Sequence, residues 1–326
     1  MNQSYGMWWS ACGKAADTFP TASVAVRLKL GVPAANRQHG VGSHTNLWFD
    51  PFFAKETQVT CGLLTRSRSG RFVCITDIGM KIEICVDSVA GAVAAERGGA
   101  DRVELCDNLL EGGTTPSLGC IRLAREHLRI GLQVLIRPRG GDFLYDDYEM
   151  EVIREDIRLC KEAKVDGVVI GCLTAAGDID QARTRELIKL ARPMNVTFHR
   201  AFDMCRDAKK GLEELVALGV DRVLTSGQDA SCLEGMEMIA ALETQAKGRI
   251  IVMPGGDITA RNVSRIVAGT GVREVHLSAR VSVESRMTHR NSRCYMGGTL
   301  RPPEFSWKAT DESVVRDVVE RLRQGD

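Results

Sequence analysis

The sequence lacks an excess of either charge: 43 basic residues face 42 acidic ones, and the formal net charge is +1. Without a broad electrostatic attraction to polyanions, we expect neither nucleic acid nor an anionic membrane as a partner. No apolar stretch approaches the roughly 20 residues that a membrane helix requires, and the first residues lack the apolar block of a secretory signal. These absences favour a cytoplasmic protein.

The chain also lacks the cysteine spacings of common cross-linked or zinc-bound folds. It has 11 cysteines, an odd number, and no two of them form a C-x-x-C pair. Neither a disulfide framework nor a zinc ribbon is indicated, and we expect the cysteines to stay reduced. With 44% hydrophobic and 26% charged residues over 326 positions, the composition is ordinary for a globular protein of enzyme size.

Residues 1–79 differ from the remainder, with only four acidic residues against eight basic ones and few regular periodicities. We expect an N-terminal extension that is disordered or irregular over 1–79, and a folded domain over 80–326. Met80 stands directly before the first strand pattern, so an extension from gene prediction or alternative initiation is one explanation. An organellar transit segment is another, although no arginine precedes Arg27.

From residue 81 onward, short apolar strands alternate with amphipathic helices. The strands are predicted at 81–86, 102–106, 133–138, 167–171, 195–199, 222–226, 250–254 and 274–278. The helices are predicted at 89–97, 117–127, 149–164, 181–191, 208–218, 233–246 and 260–267. Eight repeats over about 250 residues indicate a (β/α)8 TIM barrel. The alternative, an open doubly wound sheet, requires a G-x-G-x-x-G turn that Asp87-Ser88-Val89 does not supply.

The first two predicted strands end in the same way, as Ile82-Glu83-Ile84-Cys85 and Val103-Glu104-Leu105-Cys106. Side chains alternate across a strand, so the glutamate and the cysteine of each strand point to one side and the aliphatic residues to the other. A carboxylate on a buried strand needs a partner or a purpose. We expect the glutamates about 6.5 Å deeper along their strands than the cysteines.

Charged and small polar residues follow the predicted strands, at the end of a barrel where active sites lie. The catalytic candidates are Glu83, Glu104, Arg137, His199 and Asp203. Two nearby carboxylates raise one another's pKa, and Arg137 or His199 could neutralise one of them while the other serves as a base. An internal ion network that only stabilises the barrel explains the same residues without catalysis.

A second group of candidates would bind a phosphorylated or carboxylated substrate: Arg139, Ser226, Gly255, Gly256 and Arg280. The two glycines follow the seventh strand and Arg280 follows the eighth, where many barrels bind phosphate through backbone N–H groups. A tight turn between strand and helix is the alternative explanation for the glycines.

Several long motifs resemble one known family. They are Cys85-Val86-Asp87-Ser88, Glu111-Gly112-Gly113-Thr114-Thr115-Pro116-Ser117, Arg137-Pro138-Arg139-Gly140-Gly141-Asp142-Phe143 and Thr197-Phe198-His199-Arg200-Ala201-Phe202-Asp203. The sequence from Met80 to the end resembles the copper homeostasis protein CutC family, except that Asp257 replaces a common glycine. The resemblance implies a (β/α)8 barrel, a homodimer or homotetramer, a cytoplasmic location that extends to the nucleus in animals, and Cu(I) binding by Cys85 and Cys106.

Copper chemistry agrees with two cysteines on neighbouring strands. Cu(I) is soft and prefers sulfur ligands, and strands lie about 4.8 Å apart. With metal–sulfur bonds of about 2.3 Å, as for zinc, a linear pair needs sulfurs roughly 4 to 5 Å apart. The leading hypothesis is a copper homeostasis protein that binds Cu(I) at the barrel mouth. The alternatives are an enzyme of unassigned reaction on a small anionic substrate, a scaffold for other proteins, and cysteines that only pack as small hydrophobes.

Overall fold

The computed structural model describes residues 64–66, 72–74, 79–297 and 302–324. The chain divides into two units, Met1–Ile78 and Gly79–Asp326. In the first unit, strands β1 (Leu64–Arg66) and β2 (Phe72–Cys74) pair antiparallel. Apart from Gly79, the other residues of the predicted extension lie outside the described residues, so its disorder and the domain boundary at residue 80 stay predictions.

The second unit contains an eight-stranded parallel sheet. Its strands are β3 (Lys81–Val86), β4 (Arg102–Leu105), β5 (Gly131–Leu135), β6 (Gly167–Ile170), β7 (Asn195–Phe198), β8 (Arg222–Thr225), β9 (Ile251–Pro254) and β10 (Glu274–Leu277). Strand β10 pairs with β3, and a bridge between Gly255 and His276 joins the other edge to β10. The sheet is therefore a nearly closed barrel, which confirms the predicted (β/α)8 TIM fold.

Seven helices separate the barrel strands, and an eighth follows them. They are α1 (Val89–Arg97), α2 (Leu118–His127), α3 (Asp147–Glu162), α4 (Gln181–Ala191), α5 (Ala208–Leu218), α6 (Met236–Ala246), α7 (Val263–Thr270) and α8 (Glu312–Gln324). Polar caps fix several N-termini: Ser88 accepts the N–H of Gly91, and Asp146 forms a capping box with Glu149. Within the described ranges, none of the helices combines the length and the hydrophobicity of a membrane span.

The strand residues divide between two cores, as their alternation predicts. Ile82 and Ile84 of β3 belong to the large apolar cluster that also contains residues of the surrounding helices. Cys85 belongs to a separate small cluster with Cys106, Leu135 and Val169, which lies inside the barrel. The interior at this level is therefore a mixed layer of sulfur and aliphatic groups beside the buried carboxylates.

Two parts of the fold differ from the sequence prediction. The third strand is Gly131–Leu135 rather than 133–138, because the N–H of Arg137 donates to Thr115 Oγ1 at 2.9 Å and Pro138 has no N–H to continue a ladder. The prediction also omitted α8 and the antiparallel pair β11 (Arg280–Glu284) and β12 (Ser306–Thr310). Helix α8 packs against α1, where a Cβ on Gly98 would meet Val315 Cβ at 2.5 Å.

Candidate functional site

The two Glu-x-Cys strands are staggered in the barrel. Cys85 is the register partner of Glu104, and Glu83 is the partner of Arg102. Each glutamate is deeper than the cysteine of its own strand, as expected, but Glu104 is level with Cys85 rather than with Glu83. The stagger follows from closing tilted strands into a barrel, which a strand-by-strand reading of the sequence omits.

The thiols of Cys85 and Cys106 lie side by side. Their Sγ atoms are 3.7 Å apart, and both side chains are buried. This distance is shorter than the 4 to 5 Å expected for a linear two-sulfur metal site. Together with a carboxylate oxygen of Glu104, the sulfur atoms form a group whose ligand atoms all lie within 4.8 Å of one another.

His276 of β10, which was not among the candidates chosen from the sequence, joins the two glutamates. Its Nδ1 lies 2.8 Å from Glu83 Oε1, and its Nε2 lies 3.6 Å from Glu104 Oε2. Burial opposes the charged imidazolium, but hydrogen bonds to Cys85 and Glu83 and the charges of both carboxylates raise the pKa of His276 well above its usual value. His276 is therefore a cation that pairs with the Glu83 carboxylate and lies beside the Glu104 carboxyl group.

The surroundings of His276 shift the pKa values of the two thiols in opposite directions, and they do the same for the two carboxyl groups. The hydrogen bond from Cys106 is the largest influence on Cys85; against burial, and with the help of His276, it lowers the pKa of Cys85 to about 5. The same hydrogen bond and burial raise the pKa of Cys106 well above its usual value. Burial, opposed by His276 and supported by the charges of Cys85 and Glu83, raises the pKa of Glu104 to about 8. One thiolate thus lies beside one thiol and one protonated carboxyl group at neutral pH.

Glu83 is neutralised by Arg102 and His276, which corrects the expectation that Arg137 or His199 would do so. Although burial opposes ionisation, these charges hold the pKa of Glu83 well below its usual range. Arg102 also pairs with Glu274 at 2.6 Å, and Arg222 Nε lies 2.5 Å from the same carboxylate. The polar residues Glu274 and His276 alternate on β10, and this alternation was the signal in the sequence that could have identified them.

Arg137 binds the backbone of the barrel-mouth loops instead. Its Nη1 donates to the carbonyl oxygens of Glu111 at 3.0 Å and Gly113 at 2.8 Å, and its Nη2 donates to that of Gly141 at 2.7 Å. Arg137 follows the end of β5. Its side chain therefore contacts the loops at the barrel mouth and not Glu83, which lies deeper in the barrel. Arg137 therefore ties together the loops that follow two barrel strands.

A cavity of about 120 Å³ lies among these groups. Its wall includes Cys85, Glu104, Cys106, Arg137, His199 and His276. Five of these were selected from the sequence, and the structure brings those five together. Among the described residues, the wall does not include Glu83, Asp203, Arg139, Ser226, Gly255, Gly256 or Arg280.

His199 contributes a neutral ring to the cavity. Its Nδ1 accepts the backbone N–H of Ala201 at 3.1 Å, and burial, supported by the charge of Arg137, lowers the pKa of His199 to about 3. The Nε2 atom has no hydrogen-bond partner among the described residues. Phe143 packs beside the ring, with 5.0 Å between the ring centroids. The imidazole therefore has one free polar atom at a water-poor position.

Asp203 and Ser226 are hydrogen-bonded to each other, and neither lines the cavity. The Asp203 carboxylate accepts the hydroxyl of Thr225 at 2.5 Å, the N–H of Ser226 at 3.0 Å and the N–H of Gln228 at 3.2 Å. Arg200 Nε donates to the same carboxylate at 2.7 Å. These bonds occupy most of the accepting capacity of Asp203, so the geometry gives this residue a structural use in the turn after β8.

The predicted anion-binding residues are also engaged with protein groups. The N–H of Gly255 donates to the Thr225 carbonyl at 2.9 Å, and Gly256 has a φ of 149° and accepts from Cys232 at 3.0 Å. Arg139 pairs with Glu149 at 2.5 Å. Arg280 Nη1 lies 3.9 Å from Asp87, and its Nε has no partner among the described residues. A phosphate site at this turn therefore stays a prediction.

Comparison with known proteins agrees with the fold and the motifs. The sequence profile of the CutC family matches residues 80–281. The copper homeostasis protein cutC homolog of Mus musculus is 55% identical over 238 residues, which cover 73% of this chain and 88% of that protein. A CutC family protein of Parabacteroides distasonis is 50% identical over 236 residues, with coverages of 72% and 97%.

A solved structure supports the same relationship. The crystal structure of CutC from Streptococcus agalactiae has a TM-score of 0.59 and 38% sequence identity, and the alignment covers 61% of this chain and 98% of that chain. The family profile, the relatives and the shared barrel agree. This chain belongs to the CutC family.

Proposed function

We propose that this CutC protein acts in copper homeostasis by binding Cu(I) through Cys85 and Cys106. The observation that carries the proposal is the 3.7 Å separation of their Sγ atoms at a buried cavity. Two sulfur donors suit soft Cu(I) better than the hard cations that prefer oxygen. The names of the mouse and human relatives, copper homeostasis protein cutC homolog, agree with this role.

The separation of the thiols favours a bent arrangement of ligands. Sulfur atoms 3.7 Å apart can both contact one metal ion at about 2.3 Å only if the ion lies off the line that joins them. A bent pair leaves room for a third donor, and Glu104 supplies the ligand atom that completes the group of three. The depressed pKa of Cys85 also supplies one thiolate without competition from a proton at neutral pH.

A competition titration with a Cu(I)-specific chelator under reducing conditions tests the proposal. The double variant Cys85→Ser/Cys106→Ser should lose tight binding of one Cu(I) per chain. The matched control Cys120→Ser/Cys294→Ser removes two other thiols, one of which is exposed, and should retain it. An unchanged stoichiometry in the first variant would exclude these cysteines as the ligands.

We also propose, from the resemblance, a homodimer or homotetramer located in the cytoplasm and, in animals, the nucleus. The domain division at residue 80 belongs to the same set of proposals. Sedimentation equilibrium tests the assembly, because a monomer at micromolar concentration would reject it. Limited proteolysis tests the division, because an extension over 1–79 should be removed before the domain over 80–326 is cut.

A second candidate function is an enzymatic reaction on a small anionic substrate. The favouring observation is that Glu104, Arg137 and His199 share one cavity wall with His276. We propose Glu104 as the proton-transfer group, Arg137 and His199 as substrate contacts, and Glu83 as the residue that positions His276. Asp203 would act only through the turn that it holds.

Time-resolved proton NMR tests the second function with a panel of small carboxylates and phosphates. The expected result is turnover of one compound by the wild type and its loss in Glu104→Gln. The variant Glu186→Gln changes a carboxylate on a surface helix and should keep the wild-type rate. Absence of turnover across the panel, or equal rates in wild type and Glu104→Gln, would reject Glu104 as the proton-transfer group.

A further inference from the structure

Two residues of the cavity wall each have one buried nitrogen atom without a hydrogen-bond partner among the described residues. The atoms are Nε2 of His199 and Nε of Arg137. Both side chains are more than nine-tenths buried, with exposures of 5% and 6%. A buried polar group without a partner costs free energy, roughly 1 to 3 kcal/mol, so such groups in a native structure call for an explanation.

The hydrogen bonds of His199 determine what its free nitrogen can do. Because Nδ1 accepts the N–H of Ala201, that atom carries no proton. In a neutral imidazole the proton is then on Nε2, which is a donor without an acceptor. The lowered pKa of His199 agrees with the neutral form. The missing group must therefore be a hydrogen-bond acceptor.

The charge of Arg137 points to an acceptor that is negative. Its terminal nitrogens donate to three loop carbonyls, and its guanidinium lies 5.0 Å from the centroid of the Phe143 ring. Among the described residues, no carboxylate lies within ion-pairing distance of it. Carbonyl dipoles and a ring face compensate a buried cation only in part, which leaves an attraction for an anion in a region of low dielectric constant.

We propose that this part of the cavity binds the carboxylate group of a small molecule, with His199 and Arg137 as the donors. The two unpartnered N–H donors equal in number the two accepting oxygens of a carboxylate. A volume of about 120 Å³ equals the share of roughly four water molecules, which is room for a carboxylate group and a few neighbouring atoms. Whether the bound molecule is also converted to a product rests on the second proposed function, whereas its binding does not.

Two substitutions at one position separate the cavity donor from the structural bond of His199. His199→Asn keeps an acceptor near the position of Nδ1 for Ala201 but has no atom at the position of Nε2. His199→Gln keeps a donor near Nε2 and loses the acceptor. If Nε2 of His199 binds the carboxylate, His199→Asn should weaken carboxylate binding and His199→Gln should preserve it. If His199 serves only to accept the N–H of Ala201, neither substitution should change binding directly, and His199→Asn should be the more stable of the two variants.

Isothermal titration calorimetry of the full chain with acetate, glyoxylate and pyruvate provides the measurement. Wild type should bind at least one of them, and His199→Asn should raise its dissociation constant roughly 10- to 100-fold, as expected for a lost bond to a charged acceptor. His199→Gln should stay within about threefold. Arg137→Gln should abolish binding, and the surface control Arg158→Gln should not change it.

The outcomes separate this inference from both proposed functions. Equal dissociation constants in wild type and His199→Asn would overturn the inference together with the role of His199 as a substrate contact. The copper proposal and the proton-transfer role of Glu104 would stand, since the Cys85→Ser/Cys106→Ser and Glu104→Gln variants test them separately. No binding of any of the three carboxylates to wild type would also overturn it, even if inorganic phosphate bound. None of these results depends on copper, since the titrations use protein without added metal and the Cys85→Ser/Cys106→Ser variant can be titrated in parallel.

Discussion

Nδ1 of His276 lies 2.8 Å from Oε1 of Glu83, inside the barrel and one layer below the thiol of Cys85. The contact connects two parts of the molecule with different uses. Below it, Arg102 and Glu274 continue a buried ion network. Above it, the cation acts on Cys85 and Glu104, which belong to the proposed metal group. The network therefore stabilises the barrel and sets the charge of the ligands.

Replacement of Glu83 by Gln should strongly destabilise the fold. It would leave the guanidinium of Arg102 and the imidazolium of His276 with one carboxylate fewer, and breaking a buried pair costs about 3 to 5 kcal/mol. Urea denaturation followed by circular dichroism measures the change. The control Glu213→Gln removes an exposed partner of Arg249 and should change stability far less. Equal losses would show that the interior network contributes no more than a surface pair.

The thiol of Cys85 should titrate as an acid. Its pKa is lowered to about 5, first by the hydrogen bond of Cys106, which outweighs burial. The difference in ultraviolet thiolate absorbance between wild type and Cys85→Ser should therefore persist at neutral pH and disappear as the pH falls through about 5. In a Cys106→Ser background the midpoint of the Cys85 titration should change, because the hydrogen bond of Cys106 is the strongest influence on the pKa of Cys85. A midpoint at the usual thiol value in both backgrounds would contradict this assignment.

Glu104 should make the folded protein less stable as the pH rises. Its pKa is about 8 in the folded chain and 4.5 without the shift, so between these values the folded state holds a proton that the unfolded state has released. This group therefore weakens the fold as pH rises through that window, by at most about 1.4 kcal/mol per pH unit. The stability of Glu104→Gln relative to wild type should rise from pH 4.5 to about pH 8 and then level.

Unfolding free energies measured across that pH range test the statement. Glu213→Gln is the control, because the pKa of Glu213 is lowered to about 2 by hydrogen bonds from Arg249 and Gln245. Above about pH 5.5 its carboxylate is ionised in both the folded and the unfolded state, so over that part of the range its difference from wild type should stay flat. A flat difference for Glu104→Gln as well would mean that this carboxyl group is ionised in the folded protein.

The sequence predicted the barrel because buried parallel strands are short apolar runs, and those runs are visible locally. It also placed Cys85 and Cys106 on adjacent strands, because both alternation and strand order are local properties. The contact between His276 and Glu83 joins residues 193 positions apart and depends on how the last strand closes on the first. Register at closure, and thus the pairing of Cys85 with Glu104, follows from the whole barrel and is absent from any single strand.

Asp203 was selected from the sequence as a catalytic candidate, and substitution can test whether its role is catalytic or structural. In the structure its carboxylate accepts from Thr225, Ser226 and Gln228. Asp203→Asn replaces one acceptor oxygen by a donor and should cost about 2 kcal/mol of stability, with Cu(I) stoichiometry unchanged. Thermal unfolding and the chelator titration measure both. Wild-type stability combined with loss of a substrate turnover would instead support the catalytic interpretation.

X-ray absorption at the copper edge of the Cu(I)-loaded protein tests the metal site most directly. We expect sulfur ligands from both Cys85 and Cys106 at about 2.3 Å, a distance taken from zinc–sulfur bonds, with a lighter third neighbour. The single variants Cys85→Ser and Cys106→Ser should each lose one sulfur, while Cys120→Ser should lose none. A spectrum with only nitrogen and oxygen neighbours, or one that is unchanged in both single variants, would exclude Cys85 and Cys106 as the copper ligands.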